Sequence, residues 1–287
     1  MRKWNATSEQ AWLWVKVPSI SNTTDTDLYL YYDNDHADNE NYIGYCDSIP
    51  AMNVWDSNYM MVQHLEETSK TTGSYNDHLD STSNDNDGEA EMEEGHMDAT
   101  GKIDGADDFD GSNDSVNCGN DTNLNIRNAV TLEAWINMDQ DPGSDDWYDV
   151  IGKPTYCLYL YSEDGSEVLL SAYFEINGKK VDLWDFTAAD INPNEWTRVV
   201  ITFDGTDIKG YVNDQLDGTK DKAGTIDDSS SDELFIGYFL GEENYRFDGK
   251  IDEVRISNTT RSLAWIGASY ESERDDLLDF GSEELAS

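Results

Sequence analysis

The stretch Phe247-Asp248-Gly249-Lys250-Ile251-Asp252-Glu253-Val254-Arg255-Ile256 constrains the fold of this chain more than any other, and its opening tripeptide recurs earlier as Phe109-Asp110-Gly111. Side chains alternate faces along a strand, so the spacing predicts that Asp252, Val254 and Ile256 share one face, with a carboxylate at the edge of an apolar row. A charge partly withdrawn from water is costly unless it is paired or bound to a metal, and an all-oxygen site among other aspartates suits calcium.

These two segments resemble the laminin G-like, concanavalin A-like jelly-roll family, in which an early FDG strand lies near a late IDEVRI strand. Thr131-Leu132-Glu133-Ala134-Trp135-Ile136 is similar to a further signature strand of that family. Trp196-Thr197-Arg198-Val199-Val200-Ile201-Thr202-Phe203-Asp204-Gly205, followed by Gly210-Tyr211-Val212-Asn213, is similar to its W-hhv-ahtfdG and lYvnG pair. The resemblance runs from about residue 60 to about residue 275. It implies an all-β fold: an antiparallel β-sandwich (jelly roll, concanavalin A-like) with a short C-terminal helix and a small N-terminal β unit.

The pattern along the chain predicts three parts: a partial N-terminal β domain over 1–55, the jelly-roll domain over 56–275 and an acidic tail over 276–287. In the first, Ala11 to Val17 and Asp27 to Tyr32 read as two strands of a hairpin-like unit. They resemble the end of an uncharacterised β domain that often precedes laminin G-like modules in archaeal and bacterial surface proteins, with Asp33 where a glycine is usual. Met60 to Glu67 reads as the first strand of the main domain, and 68–101 as a long polar loop. Short strands are then expected over 128–138, 148–152, 156–162, 167–176, 180–186, 196–203, 207–213, 233–239 and 245–257, the spacing of a β-sandwich. Leu263, Ile266 and Tyr270 fall at helical spacing.

Charge excludes one class of partner. With 61 Asp and Glu against 18 Lys and Arg, the formal net charge is -43, and no basic stretch offers a footprint for nucleic acid. Self-repulsion of that size is relieved when molar salt shortens the screening length to about 3 Å, so a salt-adapted, halophilic protein is expected. Cys46, Cys118 and Cys157 are too scattered for a disulfide framework or thiolate metal site. No run is long and apolar enough for a membrane span, and membrane insertion is not expected. Met1-Arg2-Lys3 begins like an export signal, yet polar residues from Asn5 to Gln10 stand where its apolar core belongs. Five acceptor sequons, at Asn5, Asn22, Asn113, Asn120 and Asn258, are compatible with an extracellular, cell-surface or virion-surface location.

The expected calcium ligands are Asp110 and Asp252, with main-chain carbonyls near Gly111 completing the shell and Asp248 as a third carboxylate. The ion would be structural, tying the first and last strands together. Ser83 to Glu94 matches an EF-hand at some positions but starts on serine and has no flanking helices. Asp80-Ser81-Thr82-Ser83-Asn84-Asp85-Asn86-Asp87-Gly88 resembles instead the DSTGNGNDG loop near the start of these modules.

Relatives of the fold hydrolyse glucans with carboxylates alternating along one strand, and glycoside hydrolysis needs two of them across a cleft. That E-x-D-x-E pattern is absent, Asp252 and Glu253 being adjacent, and His36, His64, His78 and His96 lack metal-ligand spacing. A non-catalytic carbohydrate-binding or adhesion module is therefore expected, with a glycan or cell-surface glycoprotein as partner. Tyr159, Tyr161, Tyr173 and Trp184 are the candidate ligand-binding rings on the face opposite the core. Two alternatives stay open: a decoration or fibre protein of a virus infecting halophiles, working as a homo-oligomer or larger surface assembly, and a glycoside hydrolase.

Overall fold

The computed structural model describes residues 3–5, 10–17, 19, 21, 23–24, 26–29, 44–46, 48–69, 77–183, 186, 189–239 and 245–277. The N-terminal unit holds β1 (Lys3–Asn5) and β2 (Gln10–Trp12), paired antiparallel, and a short helix α1 (Ile49–Met52). The hairpin thus forms one step earlier than the pattern predicts. Leu13 to Val17 is not part of a strand among the described residues, and the expected strand over 27–32 is not a strand where it is described, its last three residues lying outside the described residues.

The main domain is a two-layer sandwich, as expected. One sheet orders β12-β11-β10-β9-β16-β7-β4, formed by Lys179–Leu183, Leu169–Ile176, Tyr156–Ser162, Asp146–Lys153, Phe235–Ile236, Ser115–Asn117 and Glu89–Glu91. The other orders β15-β14-β13-β8-β17-β6-β5, formed by Gln215–Asp221, Asp207–Val212, Thr197–Phe203, Val130–Met138, Asp248–Ser257, Gly105–Asp110 and Ala99–Thr100. β3 (Tyr59–Gln63) completes it by pairing with β17. All of these pairings are antiparallel. The 68–101 segment is less of a loop than its composition predicts, since β4, β5 and a 3-10 turn over Glu94–His96 interrupt it.

Alternation explains the core. Leu158, Leu160, Leu170 and Phe174 of the first sheet meet Leu132, Ala134, Val199 and Ile201 of the second, all buried in one apolar cluster. The Phe174 and Phe203 rings approach to 5.6 Å across the layers. The loop Asp80 to Gly88 is organised by one carboxylate: Asp80 accepts from the backbone N–H groups of Val62, Thr82 and Asn86 and from the Thr82 hydroxyl.

β17 runs between β8 on one side and β6 and β3 on the other, so it is the keystone of its sheet. Here the alternation expected from sequence fails. Ile251, Val254 and Ile256 enter the core together, and Asp252 does not share their face. Asp252 pairs with Trp135 and Arg255 with Glu133, which leaves two residues of β17 opposite Ala134 alone. This is a β-bulge, with Glu253 at φ 51 as the extra residue. At the start of the strand Gly249 adopts φ 128, and a Cβ there would lie 2.3 Å from the Asn137 carbonyl oxygen.

Under β6, His78 is fully buried with Nδ1 2.8 Å from Glu67 and Nε2 3.0 Å from Asp107. Burial alone would lower its pKa, but the Asp107 and Glu67 carboxylates outweigh that and raise it to about 10.

Two outcomes follow for stability. Gly249→Ala is expected to cost about 3 kcal/mol, because both the φ and the space are wrong for a side chain, measured by denaturant unfolding at molar salt. The proton on His78 stabilises the fold fully below about pH 6.5, where the unfolded imidazole also binds one, and this contribution is lost as pH rises toward 10. His78→Gln should therefore be destabilising by about 3 kcal/mol at pH 6, with the deficit shrinking toward pH 10; a constant deficit would contradict a buried imidazolium.

Candidate functional site

The rings expected to face a ligand do point away from the main core, but they are covered. Tyr159, Tyr161 and Tyr173 are only 7%, 8% and 9% exposed and form a second apolar cluster with Cys157, against which Trp147 and Phe239 pack. Phe239 tilts over Tyr173 at 5.9 Å, and Trp147 stacks on Tyr245 at 3.5 Å. Their hydroxyls are engaged as well: Tyr161 donates to Asp145 and Tyr173 to Glu175. The alternation of β10 identified their face correctly, but could not foresee that the chain beyond β16 returns over it. Trp184 lies outside the described residues.

Of the expected calcium ligands, Asp110 and Asp248 are brought together as cross-strand partners at one end of the β6–β17 pairing. The Asp110 carboxyl has a lowered pKa: its slight burial opposes this, but the N–H groups of Ser112, Asn113 and Asp114 override it. Asp248 accepts from the Gln140 amide. Asp252 is held apart, four positions or about 13 Å further along the strand, where it is fully buried and its Oδ2 accepts from the Ile103 N–H at 2.8 Å. Asp110 and Asp252 therefore do not serve one ion. Among the described residues, no group of three or more His, Cys, Asp or Glu side chains is placed to hold a metal.

A concavity lies on the outer face of the sheet that contains β17. There α2 (Leu263–Glu273), started by the Ser262 side chain capping the Trp265 N–H, packs Ile266 against Val200 and Tyr211. Between α2, the segment 11–17 and the 54–56 turn opens a groove of about 580 Å³, lined by Trp12, Trp14, Trp55 and Trp265 together with Tyr59, Lys102, Arg255 and Glu273. Trp265 is 42% exposed at its rim. Trp14 packs on the His64 ring at 4.7 Å, which anchors the N-terminal segment to the sandwich.

Beneath the groove runs a buried chain of ion pairs. Arg198 pairs with Glu133 and Glu273, Arg255 with Glu273 and Glu253, and His64 Nδ1 lies 2.6 Å from Glu253. Trp135 donates its indole N–H to Glu273 at 2.6 Å. Burial alone would weaken the Arg255 charge, but Glu273 and Glu253 hold its pKa well above the ordinary value. Nη1 and Nη2 are spent on these carboxylates, while Arg255 Nε is buried and has no hydrogen-bond partner. Beside it, Arg261 donates both Nη groups to Asp56 and lies over the Tyr59 and Trp265 rings at 4.2 and 4.6 Å.

No spacing along the chain announces this groove, because its lining comes from residues 11–17, 54–59, 102–103, 255 and 265–275. The available signal was Trp12 and Trp14 at the i, i+2 spacing of one strand face, reading toward an aromatic-rich neighbour.

The sequence itself matches the family described as concanavalin A-like lectin/glucanases superfamily over residues 110–267. The chain belongs to that superfamily. Residues 1–44 match a domain of unknown function. No curated protein is significantly similar to the chain. Among solved structures, domain 4 of AbnA, an extracellular arabinanase from Geobacillus stearothermophilus solved with arabinotriose, aligns at 18% identity and TM-score 0.55 over 73% of this chain and 97% of its own. The binding domain of Paraclostridial Mosquitocidal Protein 1 aligns at 15% identity and TM-score 0.57, covering 75% of this chain and 52% of its own. The botulinum neurotoxin serotype D ligand-binding domain, solved with N-acetylneuraminic acid, gives 15% identity and TM-score 0.55 over 77% of this chain and 52% of its own. The chain thus spans about half of each toxin domain, and at these identities the likeness establishes the shared sandwich. No helix among the described residues is long and apolar enough to cross a membrane.

Proposed function

We propose that the protein is a non-catalytic carbohydrate-binding module of an extracellular surface, and that the tryptophan groove is its binding site. The observation that carries this reading is a cavity of about 580 Å³ whose lining includes Trp12, Trp14, Trp55 and Trp265. Sugars present apolar ring faces to aromatic side chains and hydroxyls to donors and acceptors, and a largely pre-formed cleft of this size suits small ligands. The fold shared with domains solved in complex with arabinotriose and N-acetylneuraminic acid supports the same reading.

Binding is favoured over hydrolysis by the state of the groove's carboxylates. Glu273 is locked between Arg198, Arg255 and the Trp135 indole, and Asp56 is held by the Arg261 fork. With both engaged, Asp275 is left as a single lining carboxylate, where glycoside hydrolysis needs a pair. The acidic surface supports function in concentrated salt.

A structural calcium ion belongs to the same proposal, at the Asp110 and Asp248 pair, where two cross-strand carboxylates and the main chain near Gly111 offer oxygen donors. Such an ion would screen the repulsion of the two charges and clamp β6 to β17.

Trp265→Ala removes an exposed ring, so its fold should persist while affinity for a bound glycan falls at least tenfold, as read on a glycan array and then by calorimetry at molar salt. Unchanged binding would place the site elsewhere. For the ion, the melting temperature should be higher in calcium than in chelator, and Asp248→Asn should abolish that difference; an unchanged calcium response in the variant would dismiss this pair.

A further inference from the structure

The chemistry of the groove is selective in a way its aromatic walls alone do not dictate. Resting on the carbohydrate reading above, we infer that the groove takes an uncharged saccharide of one or two rings and discriminates against sugars that carry a carboxylate.

Recognition of a carboxylate by arginine characteristically uses the planar fork, two parallel N–H donors meeting two oxygens. Arg198, Arg255 and Arg261 have already given their forks to the protein, and the exposed Arg274 is paired with Glu271 and Asp276. Arg255 donates Nη1 to Glu273 and Nη2 to Glu253. Arg261 closes both Nη groups on Asp56. Arg198 donates to Glu133 and to the Ile266 carbonyl, with its Nε 3.2 Å from Glu273. What is left on Arg255 is the single Nε–H, which is buried and cannot meet both oxygens of an acid.

The remaining charges point the same way. Lys16 and Lys102 line the groove with Asp56, Glu273 and Asp275, so its wall carries no excess of positive charge once Arg255 is counted. Lys16 donates to the Asn53 carbonyl. Lys102 lies over the Trp135 ring at 4.7 Å, and burial followed by repulsion from Arg274 lowers its pKa. A formal charge of -43 on the whole chain adds a long-range penalty for any anionic ligand at low ionic strength. At molar salt that field is screened within about 3 Å, so the discrimination that survives there is the local one, set by the filled arginine forks.

The wall supplied by the 11–17 segment gives the inference a structural consequence. This segment falls within the 1–44 match, and Arg255 and Trp265 on the other side fall within the 110–267 match, so recognition draws on both.

The test is calorimetry at molar potassium chloride with neutral gluco-, galacto- and mannodisaccharides against their uronate counterparts, on the full chain and on Trp55→Ala and Trp265→Ala. The expected result is binding of at least one neutral disaccharide, at least tenfold weaker binding of its uronate form, and at least tenfold loss in either tryptophan variant. Equal or tighter binding of the uronate would overturn the inference while leaving a carbohydrate-binding groove intact. Neutral binding that survives both tryptophan substitutions would overturn the site. No binding of either class would overturn the carbohydrate reading itself.

Discussion

The chain of buried ion pairs from Glu133 through Arg198, Glu273 and Arg255 to Glu253 and His64 is the interaction on which the functional half of this molecule depends. It links β8, β13, β17 and α2 with the residue just past β3, joining parts of the chain that no local contact would bring together. Buried charges of this kind contribute little net stability compared with apolar packing, but removing one partner leaves another stranded at a cost of several kcal/mol. That asymmetry fixes geometry: the helix sits where Glu273 reaches both arginines, and the groove lies where the helix leaves the sheet uncovered.

The bulge on β17 makes this network possible. A regular strand would have turned Glu253 toward the core and left Asp252 to alternate with Arg255. One extra residue restores Val254 and Ile256 to the core while keeping Asp252 and Arg255 on the outer face, where they serve different partners. Asp252 anchors the backbone at Ile103, so the acid most suggestive of a metal ligand in the sequence is a loop clamp. The groove consequently owes its floor to a departure from the pattern that makes the fold recognisable.

The two aromatic regions of the sandwich show how similar sequences meet different fates. Tyr159, Tyr161 and Tyr173 lie on a flat outer face and are sealed by Phe239 and by the stacked Trp147 and Tyr245. Trp55 and Trp265 flank a sheet face whose arginines need desolvated acidic partners and cation–π contacts, and Trp265 remains 42% exposed. Burial of aromatic area stabilises both regions, and the second borders the groove.

Strand periodicity, turn residues and the Phe-Asp-Gly and Ile-Asp-Glu-Val-Arg-Ile signatures determined the sandwich, most of its strands and its closing helix, because local alternation and family-specific spacing are properties of contiguous residues. Composition determined the acidic surface for the same reason. What only the tertiary structure decided is non-local: that β17 carries one residue too many, that the tyrosine face is covered by chain more than sixty residues away, that Asp252 meets a backbone N–H instead of Asp110, and that tryptophans from positions 14, 55 and 265 meet around one groove. Each of these depends on which distant segment arrives opposite a given residue, and no spacing along the chain encodes that until the sheets have closed.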